Sequence, residues 1–337
     1  MNVSRYMKII SKITIIFTLV IIIFLTYFSL VGIETDQFNN QIKSKLTSIN
    51  KNLDLELKQV NLKLNPLKLK INVKILGSKI KNKKKVLETE SIKTKISLIS
   101  FFKNEFVIKN LNISTKSINI EDLISFTRTF YDNPKIIILE KLLQINGFVV
   151  ADLKINFDNK GNVKNNYFVK GYVKDAKLSL FRDHKVHDLN FVFKVEKDNL
   201  EIQDSKFILN NINFISDTIN IKKNKRGYTL KGNLNNNIAE LNNKTLALFE
   251  EKTIPDLGIE KIIFGSKNEF SFDLDKNFKI SNEYILSYID IKKFQITNNF
   301  KLKNVFPKIN DKIFIENNNL KIEYNKNNLY IEGKGDI

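Results

Sequence analysis

Cysteine and tryptophan are missing from these 337 residues, and histidine (2), methionine (2) and proline (4) are nearly so. With no thiol there is no disulfide framework, no thiolate metal site and no cysteine nucleophile, while an oxidising compartment stays compatible. Arginine is scarce as well: of 55 basic residues only Arg5, Arg128, Arg182 and Arg226 are arginine, which leaves 51 lysines to carry the formal charge of +19. Nucleic-acid binders draw on arginine for bidentate contacts and cluster it on one surface. Here the lysines alternate along apolar runs and fill turns, and asparagine is abundant, which reads as compositional bias. No nucleic-acid partner is expected; an anionic lipid surface is the better match.

Catalytic signatures are absent too. The chain holds no G-x-S-x-G, P-loop, H-E-x-x-H or EF-hand loop, so no convergent catalytic set can be named. Both histidines fall in Arg182-Asp-His-Lys-Val-His-Asp188, where His184, His187 and two aspartates could ligate a metal. That segment separates Leu180 from Leu189, where a solvated hairpin turn belongs. The expectation is therefore no metal, no cofactor and no enzyme.

What is present begins with one uncharged run, Ile13 to Ile33, bounded by Lys12 and Glu34. As a helix its 21 residues span about 31 Å, enough for a hydrocarbon core of about 30 Å. Arg5, Lys8 and Lys12 precede it and Glu34 and Asp36 follow it, so the positive-inside bias places residues 1–12 in the cytoplasm and the rest across the membrane. A cleaved signal peptide is the rival, but its apolar region is shorter and ends in a small-x-small site, which Tyr27 to Ile33 lacks. No other stretch is long and apolar enough to span. Phe38, Ile42, Leu46 and Ile49 then share one face of an amphipathic helix over 34–50, packed on the next domain or lying at the membrane surface.

From residue 51 the period becomes two. Leu53, Leu55 and Leu57 alternate with charges, and Leu67, Leu69, Ile71, Val73 and Ile75 alternate with Lys68, Lys70, Asn72 and Lys74. Lys79 to Lys85 reads as a charged connection. Leu189, Phe191, Phe193 and Val195 repeat the pattern, which runs nearly to the C-terminus. Helical exceptions are Glu121 to Tyr131, Lys135 to Leu143 and Asn237 to Glu251, and Glu251 to Gly258 with Pro255 is the one plausible internal boundary, dividing 51–250 from 251–337. One-faced strands must cover their apolar side. Helices are too few for a doubly wound fold, which leaves a barrel, a sandwich, or a long curled sheet whose apolar lining faces itself across a trough.

The anchor, the amphipathic helix and the run LDLELKQVNLKLNPLKLKINVKIL (Leu53 to Leu76) resemble the start of AsmA-like proteins, the group of AsmA, TamB and YhdP. LETESIKTKISLISFFKNEFVIKNLNI (Leu87 to Ile113) and GFVVADLKINFDNKGN with YFVKGYVKDAKLSL are most similar to the YhdP branch. The resemblance covers most of residues 8 to 235. It implies a mainly β protein: an N-terminal transmembrane helix, then an elongated, curled antiparallel sheet with a few short helices. It further implies an inner-membrane, single-pass protein whose periplasmic groove carries phospholipids toward the outer membrane, serving envelope lipid homeostasis. Leu67, Leu69, Ile71, Val73, Ile75, Leu189, Phe191, Phe193 and Val195 are then the expected groove lining. Membrane phospholipids are the expected partners, with outer-membrane or periplasmic proteins beside them. The rival expectation is a dry β-domain that serves as a periplasmic assembly factor for outer-membrane proteins. Such proteins are often much longer, and the last residues, Gly333 to Ile337, read as a strand interior, so a continuing reading frame is one expectation.

Overall fold

The computed structural model describes residues 3–36, 39–40, 42–43, 47, 51–99, 108–129, 146–158, 164, 166–179, 185–242, 259–277, 279–297 and 312–336. The protein is mainly β, with a curled antiparallel sheet and an N-terminal apolar helix. Two compact units divide it: residues 1–118, 125–130 and 150–168 form the first, and 119–124, 131–149 and 169–337 the second.

The first unit opens with helix α1 (Val3–Leu30), of which Tyr6–Leu30 is long and apolar enough to cross a membrane. The helix starts ten residues before the apolar run and stops three residues short of its end. Val31 N–H donates to Tyr27 O (2.8 Å), and Gly32 then turns the chain at φ +84. Only glycine fits there, because a Cβ would stand 2.6 Å from Leu62 O and the dihedral is left-handed. Strand β1 (Ile33–Glu34) follows at once, where an uninterrupted span to Ile33 was expected. Of the expected amphipathic helix over 34–50, Asn39, Asn40, Ile42, Lys43 and Thr47 are helical. Ile42 packs on the core below, and Phe38, Leu46 and Ile49 lie outside the described residues.

Strands β2 (Leu53–Glu56), β3 (Gln59–Asn65), β4 (Lys70–Leu76), β5 (Lys79–Asn82) and β6 (Lys85–Ser97) come next. Lys79 to Lys85, expected as a connection, is instead β5, a two-residue turn and the start of β6. After these come β7 (Asn110–Thr115), β8 (Ile118–Asn119), helix α2 (Ile120–Arg128) and β9 (Asn146–Asn156). The order β1-β3-β4-β6-β7-β9 is antiparallel throughout, with β2 and β5 forming a small flank on β6. Apolar alternation aims Leu55, Val60, Leu62, Leu64, Ile71, Val73, Ile75, Ile92 and Ile96 into one cluster, none more than 6 % exposed. Each such burial contributes about 1.5–3 kcal/mol. Phe28 of α1 packs against the same cluster, so the helix end is part of this unit.

The second unit holds β10 (Phe168–Ser179), β11 (Lys185–Glu196), β12 (Asn199–Leu209), β13 (Ile212–Lys223), β14 (Gly227–Asn242), β15 (Ile259–Asp275), β16 (Ile280–Thr297), β17 (Lys312–Asn325) and β18 (Asn328–Asp336). From β11 to β18 each strand pairs antiparallel with the next. Asn210-Asn211 and Lys326-Asn327 close two-residue hairpins with both residues at positive φ, the mirror-image turn that matches strand twist. Two expectations are corrected. Residues 237–242 are strand, not helix, because Leu241 pairs with Ile262 in the β14–β15 ladder. Residues 185–188 belong to β11 rather than a solvated turn. The expected helix over 135–143, the remainder of 237–251 and the boundary at 251–258 lie outside the described residues.

Candidate functional site

Directly paired residues in an antiparallel sheet project to the same face, so the register of the second unit traces a line across eight strands. Phe193 pairs with Ile202, Ile202 with Ile219, and Ile219 with Gly232. Gly232 pairs with Phe270, Phe270 with Ile285, Ile285 with Tyr324, and Tyr324 with Leu329. Every residue in this line is apolar except the glycine and the tyrosine hydroxyl. At Gly232 the missing side chain is replaced by its neighbours: a Cβ there would meet Ile219 Cγ1 and Phe270 Cζ, each at 3.0 Å. A parallel line runs Val195–Leu200–Ile221–Leu230–Phe272. At about 4.8 Å per strand the first line is roughly 34 Å long.

This face is covered only in part. Phe193, Ile202, Ile219 and Phe270 are half-buried, and Ile285 and Leu329 are 41 % and 59 % exposed. Phe191 and Phe193 lie 6.2 Å apart, centroid to centroid, and Phe270 and Phe272 6.0 Å apart. Packing within the face is therefore mostly side by side, between neighbours on one sheet.

A polar band interrupts the face across β14 and β15. Asn236 and Ser266, both almost fully buried, are hydrogen-bonded to each other. Asn236 Nδ2 donates to Phe264 O (3.2 Å), and Asn268 Nδ2 donates to Ser266 Oγ (2.8 Å). Beyond the band the line Leu241–Ile262–Phe294–Ile315 resumes the apolar surface. The band sits beside a register shift between Asn236 and Ala239, where a bulge leaves backbone groups unpaired. A second shift lies between Ile215 and Ile219. There Asn233 Oδ1 accepts from Asp217 N–H (2.9 Å) and Thr218 N–H (3.3 Å), and Asn233 Nδ2 donates to Asp217 Oδ2 (2.7 Å). Asn190 Oδ1 does the same for Asp175 N–H (3.1 Å), and Asp175, Asp188 and Asp204 adopt positive φ on successive strands. Asparagine and aspartate tolerate that conformation and satisfy its loose ends. The asparagines that read as composition bias are the fittings that let these strands bend.

The opposite face is more polar, but Val192, Ile215 and Tyr288 stand exposed on it. Its line Ile215–Asn235–Lys267–Tyr288–Lys321–Glu332 borders a hollow of about 680 Å³. A smaller one, about 380 Å³, lies at the strand ends around Asn224, Arg226, Asp273 and Asn282. Asp273 accepts hydrogen bonds from Thr229 Oγ1 (2.6 Å) and Asn282 Nδ2 (2.8 Å). The Thr229 bond above all, then Asn282 and the charge of Arg226, hold its carboxyl below the usual aspartate range. Asn224, Thr229, Asp273 and Asn282 are hydrogen-bonded to one another in a turn lock.

The nine expected lining residues separate into three environments. Leu189, Phe191, Phe193 and Val195 lie half-buried on β11, alternating with exposed Val192 and Lys194. Ile71, Val73 and Ile75 are 0 %, 3 % and 3 % exposed inside the first unit's core, where side chains from facing strands leave no open lining. Leu67 and Leu69 are not in a strand: Pro66 starts a 3-10 turn over Pro66–Lys68, Leu69 caps it at φ 46, and the two leucines are 97 % and 57 % exposed. Proline lacks the N–H a ladder needs, so β4 begins only at Lys70. Of the expected metal-ligand cluster, His187 is half-buried in β11 and His184 lies outside the described residues; no group of three or more potential ligands occurs among the described residues. Comparison of the chain with protein-family models, with curated proteins and with solved structures gives no match.

Proposed function

We propose that this is a single-pass inner-membrane protein that carries phospholipids on the apolar face of its second unit, on the periplasmic side, toward the outer membrane. The observation that carries the reading is the line from Phe193 to Leu329: eight strands of matched apolar register, left half-open along their length. A phospholipid's acyl layer is about 15 Å deep, half of a bilayer core of about 30 Å, so it fits within a line of roughly 34 Å. Burial of each methylene contributes about 0.8 kcal/mol, so a two-chain lipid on this face does not escape readily into water. The polar face and the lysines at the strand ends keep headgroups wet. The mechanism is passive sliding; the proposal assigns the chain no catalysis and no energy source. The charge contrast across α1, with Arg5, Lys8 and Lys12 before it and Glu34 and Asp36 after it, supports the orientation. The AsmA-like pattern over most of residues 8 to 235 supports the same reading.

The rival, a dry domain that holds a partner during outer-membrane protein assembly, is favoured by one observation: the closed core of the first unit. The two readings part on bound lipid. Lipid extracted from the purified protein is to be quantified by mass spectrometry beside the Phe193→Glu/Phe270→Glu variant, which leaves α1 untouched. Phospholipid in excess over the variant is expected. Equal lipid in both, attributable to the anchor alone, would sink the carrier reading in favour of the dry one.

A further inference from the structure

The two leucines that do not line a strand point to a second membrane contact. We propose that the β3–β4 hairpin tip, Asn65 to Leu69, dips into the same bilayer leaflet from which α1 emerges. This inference rests on α1 as the membrane span and is independent of lipid carriage.

Strand direction carries it. The chain leaves α1 at Leu30, turns at Gly32 and runs away from the helix along β1. β3 is antiparallel to β1, with Ile33 opposite Leu62 and Glu34 opposite Asn61, so rising residue number on β3 leads back toward the helix. Two contacts fix this alignment: Lys63 Nζ donates to Leu30 O at the open end of α1 (2.8 Å), and Phe28 packs on the core that β3 helps form. From Leu62 to Asn65 the strand travels roughly 10 Å toward the membrane, at about 3.3 Å per residue. The turn at its end then presents Leu67, 97 % exposed, and Leu69, 57 % exposed.

The neighbouring strand brings a third apolar side chain to the same end. β6 is antiparallel to β4, with Lys70 opposite Ser97, so β6 also runs toward the bilayer. Leu98 N–H donates to Leu69 O (2.9 Å), and Ile99 beside it is 61 % exposed. Lys68 and Lys70, both exposed, flank the leucines. An apolar tip flanked by two lysines matches a leaflet surface, where leucines enter the acyl layer and lysine stems reach back to the headgroups. In water a leucine exposed over nearly its whole surface stabilises nothing; at the headgroup boundary it has an apolar phase to enter. The occupant is thus the lipid bilayer surface, continuous with the segment that α1 already occupies.

The absence of native cysteine makes the test direct. Leu67→Cys, Ile99→Cys and Lys84→Cys are each labelled with an environment-sensitive fluorophore in the full chain, reconstituted into phosphatidylcholine/phosphatidylglycerol vesicles. Some vesicles carry lipid with a nitroxide at a shallow acyl position. Lys84 lies in the turn before β6, the far end of a 13-residue strand, roughly 40 Å from the tip. The expected result is a blue-shifted label at 67 and 99, quenched several-fold more strongly by nitroxide lipid than the label at 84. Water-like emission at 67 and 99, with quenching no stronger than at 84, overturns the proposal. A blue-shifted label that nitroxide lipid does not quench also overturns it, since the tip would then be covered by protein. Leu67 touches little else, so its replacement leaves the fold intact, and melting of the unlabelled variants checks this.

Discussion

The two units of this protein use one alternating grammar and reach opposite packing. In the first, the short strands β2 to β5 and the longer β6 stack apolar residues from several directions until Val60 is 1 % and Ile71 0 % exposed. In the second, longer strands lie in chain order, each beside the next, and the apolar residues meet mainly their neighbours on the same sheet. Alternation dictates which side of a strand is apolar but not what will cover it. Coverage follows from topology: in the first unit β2 and β5 flank β6 while α1 and Ile42 close over the cluster. The second unit leaves its line from Phe193 to Leu329 half-covered.

The largest expected effect lies in the closed core. Ile71→Ala should cost about 2–5 kcal/mol, the range for deleting a fully buried aliphatic side chain, read as a lower denaturant midpoint of the first unit. Phe270→Ala in the half-open face should cost clearly less, below the roughly 3–5 kcal/mol of a buried phenylalanine. Equal losses at the two sites would erase the contrast between the units. A smaller effect is expected at the bulge: Asn233→Ala removes the acceptor of two backbone N–H groups and should cost about 1–2 kcal/mol. Hydrogen exchange should localise that loss to Asp217 and Thr218. The smallest concerns pH. Because the folded Asp273 carboxyl is held below its ordinary range by Thr229, its contribution is fully present above the unfolded value near 3.8 and is lost as pH falls through the lower folded value. Asp273→Asn should therefore lower stability slightly near neutrality, where that contribution is present, and remove the shallow further loss below about pH 4.

Much of this was legible beforehand. The fold class, the apolar helix and the half-buried face of Leu189 to Val195 all follow from periods of 2 and uncharged length, which local sequence carries directly. What was not legible depended on partners distant in the chain. Leu67 and Ile71 share one alternating run, yet Pro66 and the left-handed Leu69 put the first on an exposed turn while β3 and β6 seal the second. Asn190, Asn233, Asn236 and Asn268 passed as composition, although an asparagine inside an apolar alternation, as in GNLNNNI, is a visible sign of a bulge. Residues 237–242 carry apolar spacings compatible with a helix, and only pairing with β15 settles them as strand.

The central claim, that the second unit's apolar face carries lipid, is tested most directly at Phe193 and its neighbour. Successive side chains on β11 point to opposite faces: Phe193 is half-buried on the apolar side, and Val192 is 39 % exposed on the other. A photo-crosslinking amino acid is placed at each position in turn in the full chain within cells, irradiated, and the protein examined by mass spectrometry for covalently attached phospholipid. Lipid captured at 193 and not at 192 is the predicted result; equal capture at both positions, or none at 193 in a folded protein, would contradict it.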